Sequence, residues 1–188
     1  MTKFGITGSL ASGKTTASQI VSKKSNLLFS ADKVVKKLYK KKYFKKIIAT
    51  KLKISINSNF KSSIKKKLYQ DKQVLKKIEK IAHPLVRKEM KAFLKKNKNK
   101  KHSFCEIPLL VESNLMNYFD VVIFIKSKKR LRLKRYRAKG GTTELFKLLD
   151  KQQQKDKQKI RYCDYVVVNN SSLTILKKKL FNIMKNYE

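Results

Sequence analysis

Eight consecutive residues near the N-terminus carry the clearest chemistry in this sequence. Residues 8–15 read Gly-Ser-Leu-Ala-Ser-Gly-Lys-Thr and satisfy the pattern G-x-x-x-x-G-K-[ST]. Gly8 and Gly13 let the backbone wrap around an anion, and the loop amides point inward above the positive end of the following helix. Lys14 neutralises β- and γ-phosphate oxygens, and Thr15 or the next threonine holds Mg²⁺. A Gly/Ser turn before a helix also occurs by chance, but this one lies at the first strand-to-helix junction and predicts a nucleoside triphosphate site.

Phosphate transfer to a hydroxyl also needs a carboxylate that orients the acceptor and removes its proton. Asp32 is the only acidic residue among the first 70. It follows the second predicted strand, whose carboxyl end lies near the phosphate loop in an open α/β sheet. Asp32 is therefore the candidate base. It also stands at a natural N-cap position before a helix over 33–38, and the two roles are hard to combine in one carboxylate.

Alternating apolar and amphipathic segments must position these residues. Apolar segments predict strands at residues 3–7, 26–30, 104–111, 121–125 and 164–168. Helical patterns cover residues 14–24, 33–38, 71–96, 128–139, 142–160 and 173–184. Pro84 predicts a kink or a new helix start, and the lysine-rich residues 40–68 predict helix with loops. Alternating strands and helices with short connections predict a three-layer α/β domain with a parallel five-stranded sheet.

The net charge of +37 suggests a polyanion partner such as nucleic acid. Only six of the 49 basic residues are arginine, however, and the lysines are spread along the whole chain. Sites that recognise nucleic-acid bases, or that bind a phosphate through two parallel hydrogen bonds, favour arginine. Compositional drift therefore explains the charge better than selected nucleic-acid binding, and the salt dependence of binding would separate the two interpretations.

Length, cysteine usage and hydropathy restrict the class of protein further. A chain of 188 residues fits a single domain. The two cysteines have no spacing typical of zinc or redox motifs, which indicates a reduced cytoplasm. No apolar stretch reaches the roughly 18 residues of a membrane span, and the N-terminus has no signal-peptide pattern. We expect a cytoplasmic protein with no membrane partner.

Six short segments, spread over nearly the whole chain, form an ordered set of motifs. They are the loop at 8–16, Ser30-Ala31-Asp32, His83-Pro84-Leu85-Val86, Glu106-Ile107-Pro108-Leu109-Leu110-Val111-Glu112, Phe119-Asp120, and Cys163-Asp164-Tyr165-Val166-Val167-Val168-Asn169. In this order and spacing they are similar to the motifs of the dephospho-coenzyme A kinases, which have Asp-Ala-Asp at the second segment and Ala-Asp-x-Val-Ile-x-Asn at the last. A nucleoside monophosphate kinase would share the loop but not a His-Pro motif followed by Pro-Leu-Leu-x-Glu.

The resemblance implies transfer of the ATP γ-phosphate to the ribose 3′-hydroxyl of dephospho-coenzyme A, the last step of coenzyme A synthesis. It implies a helical acceptor-binding region at about 40–99 and a lid at about 135–147. We also expect a monomer, and the scattered lysines lead us to expect no specific nucleic-acid partner. The implied catalytic residues are Asp32, Lys14 and Arg137, and Thr15 is the implied Mg²⁺ ligand. The implied ATP-binding residues are Gly8, Ala11, Ser12, Gly13, Lys14, Thr15, Thr16 and Asn169. The implied acceptor-binding residues are Asp32, His83, Pro108, Leu109 and Glu112.

Several of these residues have a second interpretation. His83 also fits a helix-kink histidine, Glu112 a surface or capping carboxylate, and Arg135 and Arg137 solvated helix charges. Departures from the family pattern are Ala11 at a usual glycine, Ser30 at the first aspartate, Ser171 at a usual glycine, and a lid one residue short that contains Gly140-Gly141. The alternative functions are a nucleoside or nucleotide kinase and, more remotely, a nucleic-acid-binding protein with a vestigial loop.

Overall fold

Five parallel strands form the sheet of the computed structural model, which describes residues 1–23, 27–71 and 73–187. The strands are β1 (Thr2–Gly8), β2 (Leu28–Ser30), β3 (His102–Glu106), β4 (Val121–Lys126) and β5 (Tyr165–Val168). Their order in the sheet is β2-β3-β1-β4-β5, and every neighbouring pair is parallel. The predicted α/β class with a parallel five-stranded sheet is confirmed.

The register of the sheet brings the ends of three strands to one edge. Ile6 of β1 and Ser30 of β2 both pair with Glu106 of β3, and Gly8 pairs with Ile125 of β4. Strand β1 occupies the centre and is buried from its third residue onward, which suits its nearly continuous apolar sequence. The carboxyl ends of β1, β2 and β3 therefore meet where the phosphate loop begins.

Nine α-helices lie in the described part of the chain. They are α1 (Lys14–Ser22), α2 (Ala31–Leu38), α3 (Lys42–Leu52), α4 (Phe60–Gln70), α5 (Gln73–Lys96), α6 (Lys129–Arg137), α7 (Thr143–Gln152), α8 (Asp156–Ile160) and α9 (Leu173–Met184). Among them, none combines the length and the apolar character that a membrane span requires. The helices predicted for residues 40–68 are confirmed as α3 and α4.

Residues 1–30 and 93–188 form one compact unit, which contains the sheet. Helices α1 and α9 cover one sheet face, where Phe4, Ile6 and Ile123 belong to a single buried cluster. On the other face, a methyl group added to Gly5 would contact Leu110 and Phe119. The sheet thus carries packing on both of its faces, and we call this part the sheet unit.

Residues 31–92 form a second compact unit, whose regular elements among the described residues are helices, and we call it the helical unit. Its core gathers apolar side chains from α2 to α5, of which Phe44 and Ile48 are fully buried. Phe44 meets the ring of Tyr39 edge-on, with 5.2 Å between ring centroids. Burial raises the pKa of the Tyr39 hydroxyl above its ordinary value. The amphipathic spacing of α5 supplies Val74 to the same core.

The structure corrects the predicted strand over residues 104–111. Strand β3 ends at Glu106, and residues 108–114 form successive turns. Pro108 has no amide hydrogen to continue a ladder, and Asn114 adopts a left-handed conformation with φ 51°. Leu110 is still buried, so the apolar run reflects burial in a turn rather than a longer strand.

Three helix boundaries also differ from expectation. One helix was predicted over residues 142–160, but α7 ends at Gln152 and α8 begins at Asp156. Asp32 lies in the first turn of α2, not at its N-cap, because β2 runs directly into the helix at Ala31. Helix α5 continues through Pro84 without a new start. The predicted end of α1 at residue 24 and start of β2 at residue 26 lie outside the described residues.

Candidate active site

The loop between β1 and α1 adopts a conformation that only glycine accommodates at two positions. Gly8 has φ 146°, and a Cβ there would lie 2.3 Å from the carbonyl oxygen of Ile125. Gly13 has φ 101°, and a Cβ there would lie 2.2 Å from Nδ2 of Asn169. Ala11 is also left-handed, with φ 57°, although it carries a methyl group. The loop is therefore held tightly against β4 and the end of β5.

The loop lysine is folded into this loop. Lys14 is 7% exposed, and its Nζ donates a hydrogen bond of 2.8 Å to the carbonyl oxygen of Ser9. The amide of Ser12 donates to the same oxygen at 3.1 Å. Because α1 begins at Lys14, the positive end of that helix and the lysine charge converge on the concave side of the loop. This arrangement can receive the phosphates of a nucleotide.

The predicted metal ligand has a carboxylate partner that the sequence analysis missed. The hydroxyl of Thr15 donates a 2.5 Å hydrogen bond to Oε1 of Glu106, which is 2% exposed at the carboxyl end of β3. Acids are scarce in this chain, so an acid inside an apolar run was a signal available in the sequence. No group of three or more His, Cys, Asp or Glu side chains suited to a metal occurs among the described residues. Any Mg²⁺ here would depend on these two oxygens with phosphate and water.

Two side chains hold the base of the loop through one carbonyl. The carbonyl oxygen of Ser12 accepts hydrogen bonds from Asn169 Nδ2 at 2.9 Å and from Arg135 Nη1 at 3.2 Å. Arg135 also donates to Ser127 Oγ and to the carbonyl oxygen of Asn169. The predicted nucleotide-binding residue Asn169 is thus brought to the loop. Arg135, considered as a lid cation, has its guanidinium engaged at the loop base.

The tip of the loop contacts a segment that the sequence analysis did not single out. The hydroxyl of Ser9 donates to the carboxylate of Asp156, and the amide of Leu10 donates to Gln153 Oε1 at 3.0 Å. Arg132 donates to the carbonyl oxygen of Leu10 at 3.3 Å. Gln153 and Asp156 flank the break between α7 and α8. The sequence analysis predicted one continuous helix here and so did not predict this contact. No glycine or proline marks the break between α7 and α8.

The remaining predicted residues of the sheet unit have varied surroundings. Glu112 accepts hydrogen bonds from Lys159 Nζ at 2.9 Å and from the amide of Gln154 at 3.3 Å. The carbonyl oxygen of Pro108 accepts a bond from the hydroxyl of Thr7, and the neighbouring Leu109 is half-buried in the same turn. Arg137 and Thr16 are exposed. Glu112 is thus tied to α8, the helix that also contacts the loop tip.

Two predicted residues belong to the helical unit. Asp32 is exposed in the first turn of α2. His83 is half-buried on α5, where burial and the neighbouring Arg87 guanidinium lower the pKa of its imidazole below the ordinary 6.5. His83 lines a cleft of about 370 Å³ together with Pro84, Arg87, Lys88 and Lys91. The cleft therefore places three cationic side chains beside the His83 imidazole.

The sheet order, the glycine-constrained loop and its folded lysine together define a P-loop kinase-type nucleotide-binding protein. Comparison with known proteins makes the assignment narrower. Residues 2–174 match the family model described as Dephospho-CoA kinase. The chain belongs to this family, so the family resemblance and the predicted enzyme class are confirmed.

Individual relatives agree with the family match over their full lengths. A dephospho-CoA kinase of Fusobacterium nucleatum is 31% identical over 182 residues, which cover 94% of each chain. The solved structure of dephospho-CoA kinase from Campylobacter jejuni superimposes with a TM-score of 0.68 at 24% identity, and the match covers 98% of this chain and 96% of its own. The structural likeness shows the fold, and the sequence relationship shows the family.

The fold alone does not select the acceptor. A deoxyadenosine kinase from M. mycoides has a TM-score of 0.57 at 20% identity, with 97% of this chain and 99% of its own covered. A nucleoside kinase would therefore share this architecture. The family match favours the first of the predicted functions over that alternative.

Proposed function

We propose that this protein phosphorylates the ribose 3′-hydroxyl of dephospho-coenzyme A with ATP and so produces coenzyme A. The observation that carries the proposal is the loop at residues 8–15, with Lys14 folded into it, in a chain that matches the dephospho-CoA kinase family over residues 2–174. Members of a kinase family use ATP, and this loop is the part of the chain built to hold its phosphates.

Lys14 and the loop amides would bind the β- and γ-phosphates. In the structure Lys14 Nζ contacts the carbonyl oxygen of Ser9. A γ-phosphate oxygen is a stronger partner for an ammonium group than a neutral carbonyl, because both members of the new pair are charged. An ammonium group has three donors, so Lys14 would bind the phosphates while it keeps its bond to the loop carbonyl.

Thr15 and Glu106 would hold Mg²⁺. A hydroxyl and a carboxylate whose oxygens already lie 2.5 Å apart match the oxygen ligands that this ion prefers. The bound ion would neutralise charge on the phosphate oxygens. Glu106 is buried and the Thr15 hydroxyl is its hydrogen-bond donor, so the carboxylate is held at the loop before any ligand arrives. Glu106→Gln should raise the Mg²⁺ concentration needed for half-maximal activity about tenfold or more.

Asp32 would be the base that accepts the hydroxyl proton. It follows Ser30 by two residues, and the Cα of Ser30 is paired in the sheet with that of Glu106. In the proposed step the 3′-oxygen bonds to the γ-phosphorus, the bond from that phosphorus to ADP breaks, and the hydroxyl proton passes to the Asp32 carboxylate. The charges of Lys14 and of the loop amides stabilise the transferring phosphate.

His83 and its cationic cleft would bind the acceptor. Dephospho-coenzyme A carries a diphosphate, and the cleft supplies Arg87, Lys88 and Lys91 beside the imidazole. Pro108, Leu109 and Glu112 would contribute from the turns after β3. Because Glu112 is also the partner of Lys159, its part in acceptor binding is separable from its structural contact only by kinetics.

Three further expectations complete the proposal. Arg137 and residues 135–147 would form a lid whose cations close over the transferring phosphate. The enzyme would act as a cytoplasmic monomer. It would bind nucleic acid only through its general positive charge, with an affinity that falls steeply with added salt.

The deciding experiment follows labelled γ-phosphate from ATP to dephospho-coenzyme A, with AMP, CMP and nucleosides offered in parallel. Lys14→Ala and Asp32→Asn should each lower transfer by about a hundredfold or more without changing the far-ultraviolet circular dichroism. Lys23→Ala and Asp71→Asn are matched controls, because both residues are exposed or half-exposed and lie outside the proposed site. Turnover with AMP or nucleosides alone would overturn the proposed acceptor.

A further inference from the structure

One peptide group at the loop tip is held on both sides. The carbonyl oxygen of Ser9 accepts the hydrogen bond from Lys14 Nζ at 2.8 Å. The amide of Leu10, which belongs to the same planar peptide group, donates to Gln153 Oε1 at 3.0 Å. The two polar atoms of a trans peptide point in opposite directions, so rotation of the plane moves both. Gln153 therefore restricts the direction in which the Ser9 carbonyl points.

The following peptide group is held by an ion pair. Arg132 donates to the carbonyl oxygen of Leu10 and is paired with Asp150, with 2.5 Å between Nη1 and Oδ1. Arg132 is 7% exposed, and its guanidinium lies over the ring of Phe146. A buried, paired guanidinium has little freedom to move, so the Leu10 carbonyl has a fixed donor. Both polar groups of Leu10 are thus bound by side chains from α6 and from the residue that follows α7.

In a complex with ATP, this part of the loop would lie beside the γ-phosphate. The ammonium of a P-loop lysine reaches the β- and γ-phosphate oxygens. Since the Ser9 carbonyl lies 2.8 Å from that ammonium, the Ser9–Leu10 peptide would border the terminal phosphate of a bound ATP. A change in its orientation would move Lys14, or place a carbonyl oxygen against the γ-phosphate. The base of the loop, in contrast, is held by Asn169 and Arg135.

We propose that Gln153 is a positioning residue for phosphoryl transfer, which holds the Leu10 amide and thereby sets the Ser9 carbonyl and Lys14 at the γ-phosphate. The proposal rests on the proposed function for the reaction and adds a residue from outside the P-loop motif. Its selective consequence is that Gln153 favours ATP over ADP, because the two nucleotides differ only in the γ-phosphate. Ser9, through its bond to Asp156, supports the same tip.

Gln153→Met tests this directly, because methionine has nearly the same length and offers only a weak acceptor. We expect affinity for a non-hydrolysable ATP analogue to fall about tenfold, as for the loss of one hydrogen bond, while affinity for ADP stays within about twofold. The kcat should fall, and the KM for dephospho-coenzyme A should stay unchanged. Gln158→Met is the matched control, since Gln158 is an exposed glutamine of the adjacent α8.

Parallel loss of ATP-analogue and ADP affinity would overturn the proposal, because it would indicate general damage to the loop. Unchanged discrimination between the two nucleotides would overturn it as well. Ser9→Ala provides a second variant, which should shift the same ratio in the same direction by a smaller factor. Nucleotide binding is measured without acceptor, so a wild-type enzyme that fails to phosphorylate dephospho-coenzyme A would contradict the proposed function and leave this measurement valid.

Discussion

The sheet unit and the helical unit share one lysine-rich composition but are stabilised differently. In the sheet unit, individual polar side chains hold the nucleotide loop, with Arg132, Arg135, Gln153 and Asn169 each bonded to its backbone. The core of the helical unit is a cluster of apolar side chains around Phe44. Precise placement of phosphates requires directional contacts, whereas a helical core tolerates volume-conserving change. We therefore expect polar substitutions to be far more damaging in the sheet unit.

The distribution of acidic residues makes the same contrast. The sheet unit contains six acids with a specific hydrogen bond to another element or to a loop: Glu106, Glu112, Asp120, Asp150, Asp156 and Asp164. In the helical unit Asp71 pairs with Lys77 at the surface, with about 40% of each side chain exposed. Surface pairs of this kind contribute little to stability. The few acids retained among so many lysines therefore mark the contacts that fix the loop and the sheet.

The largest effect is expected from the core of the helical unit. Phe44→Ala removes a fully buried ring that contacts Tyr39, and it should cost about 3–5 kcal/mol in the free energy of unfolding. Urea denaturation measures this loss. Tyr43→Ala is the matched control, because Tyr43 is an exposed aromatic residue of the same helix. If Phe44→Ala costs no more than the control, the helical unit does not depend on its apolar cluster.

A smaller loss of stability is expected from a polar contact in the sheet unit. Lys159 is fully buried, and Lys159→Met leaves the Glu112 carboxylate without its cation at a cost of about 3 kcal/mol. Adding Glu112→Gln should recover part of that loss, since the uncompensated charge is removed. Lys157→Met, an exposed lysine on the same helix, is the control. Equal unfolding midpoints for Lys159→Met and Lys157→Met would show that the ion pair contributes nothing.

Sequence patterns were sufficient for the sheet and the loop because both depend on local features. Buried parallel strands produce apolar runs, and the glycines of residues 8–15 are required by backbone geometry at Gly8 and Gly13. The contacts of Gln153 and Asp156 were not predictable in this way. They depend on a break between α7 and α8 that has no local signal, and they join residues more than 140 positions apart in the chain.

Glu106 lies between these two cases. An acid inside an apolar run is visible in the sequence, but the predicted strand ran on to residue 111 and placed Glu106 within it rather than at its end. Once β3 ends at Glu106, the pairing with Ile6 places the carboxylate beside the start of the loop. Errors in element boundaries therefore concealed more of the site than errors in element type, because side chains at strand ends do the chemistry.

Each unit has a residue with left-handed backbone, and replacing it by glycine should raise the free energy of unfolding by about 0.5 kcal/mol. Ala11 in the loop and Lys53 after α3 have φ 57° and 51°. Glycine at either position should relieve about 1 kcal/mol of strain, offset by roughly half that amount in unfolded-chain entropy. We expect a similar small stabilisation for Ala11→Gly and Lys53→Gly in thermal denaturation. A change in ATP-analogue affinity is expected for Ala11→Gly alone, and an equal change for Lys53→Gly would contradict the assignment of nucleotide binding to the loop.

The smallest effect concerns the pH dependence of the helical unit. Burial, with a contribution from Arg87, lowers the pKa of His83 below 6.5, so the unfolded chain binds the proton more readily than the folded one. The free energy of unfolding should therefore fall as the pH decreases through and below 6.5, and be insensitive to this group at higher pH. His83→Gln should flatten that part of the profile. Urea midpoints between pH 5.5 and 7.5 measure how the free energy of unfolding changes with pH. The same pH dependence in wild type and variant would show that the pKa of His83 does not differ between the folded and unfolded chain.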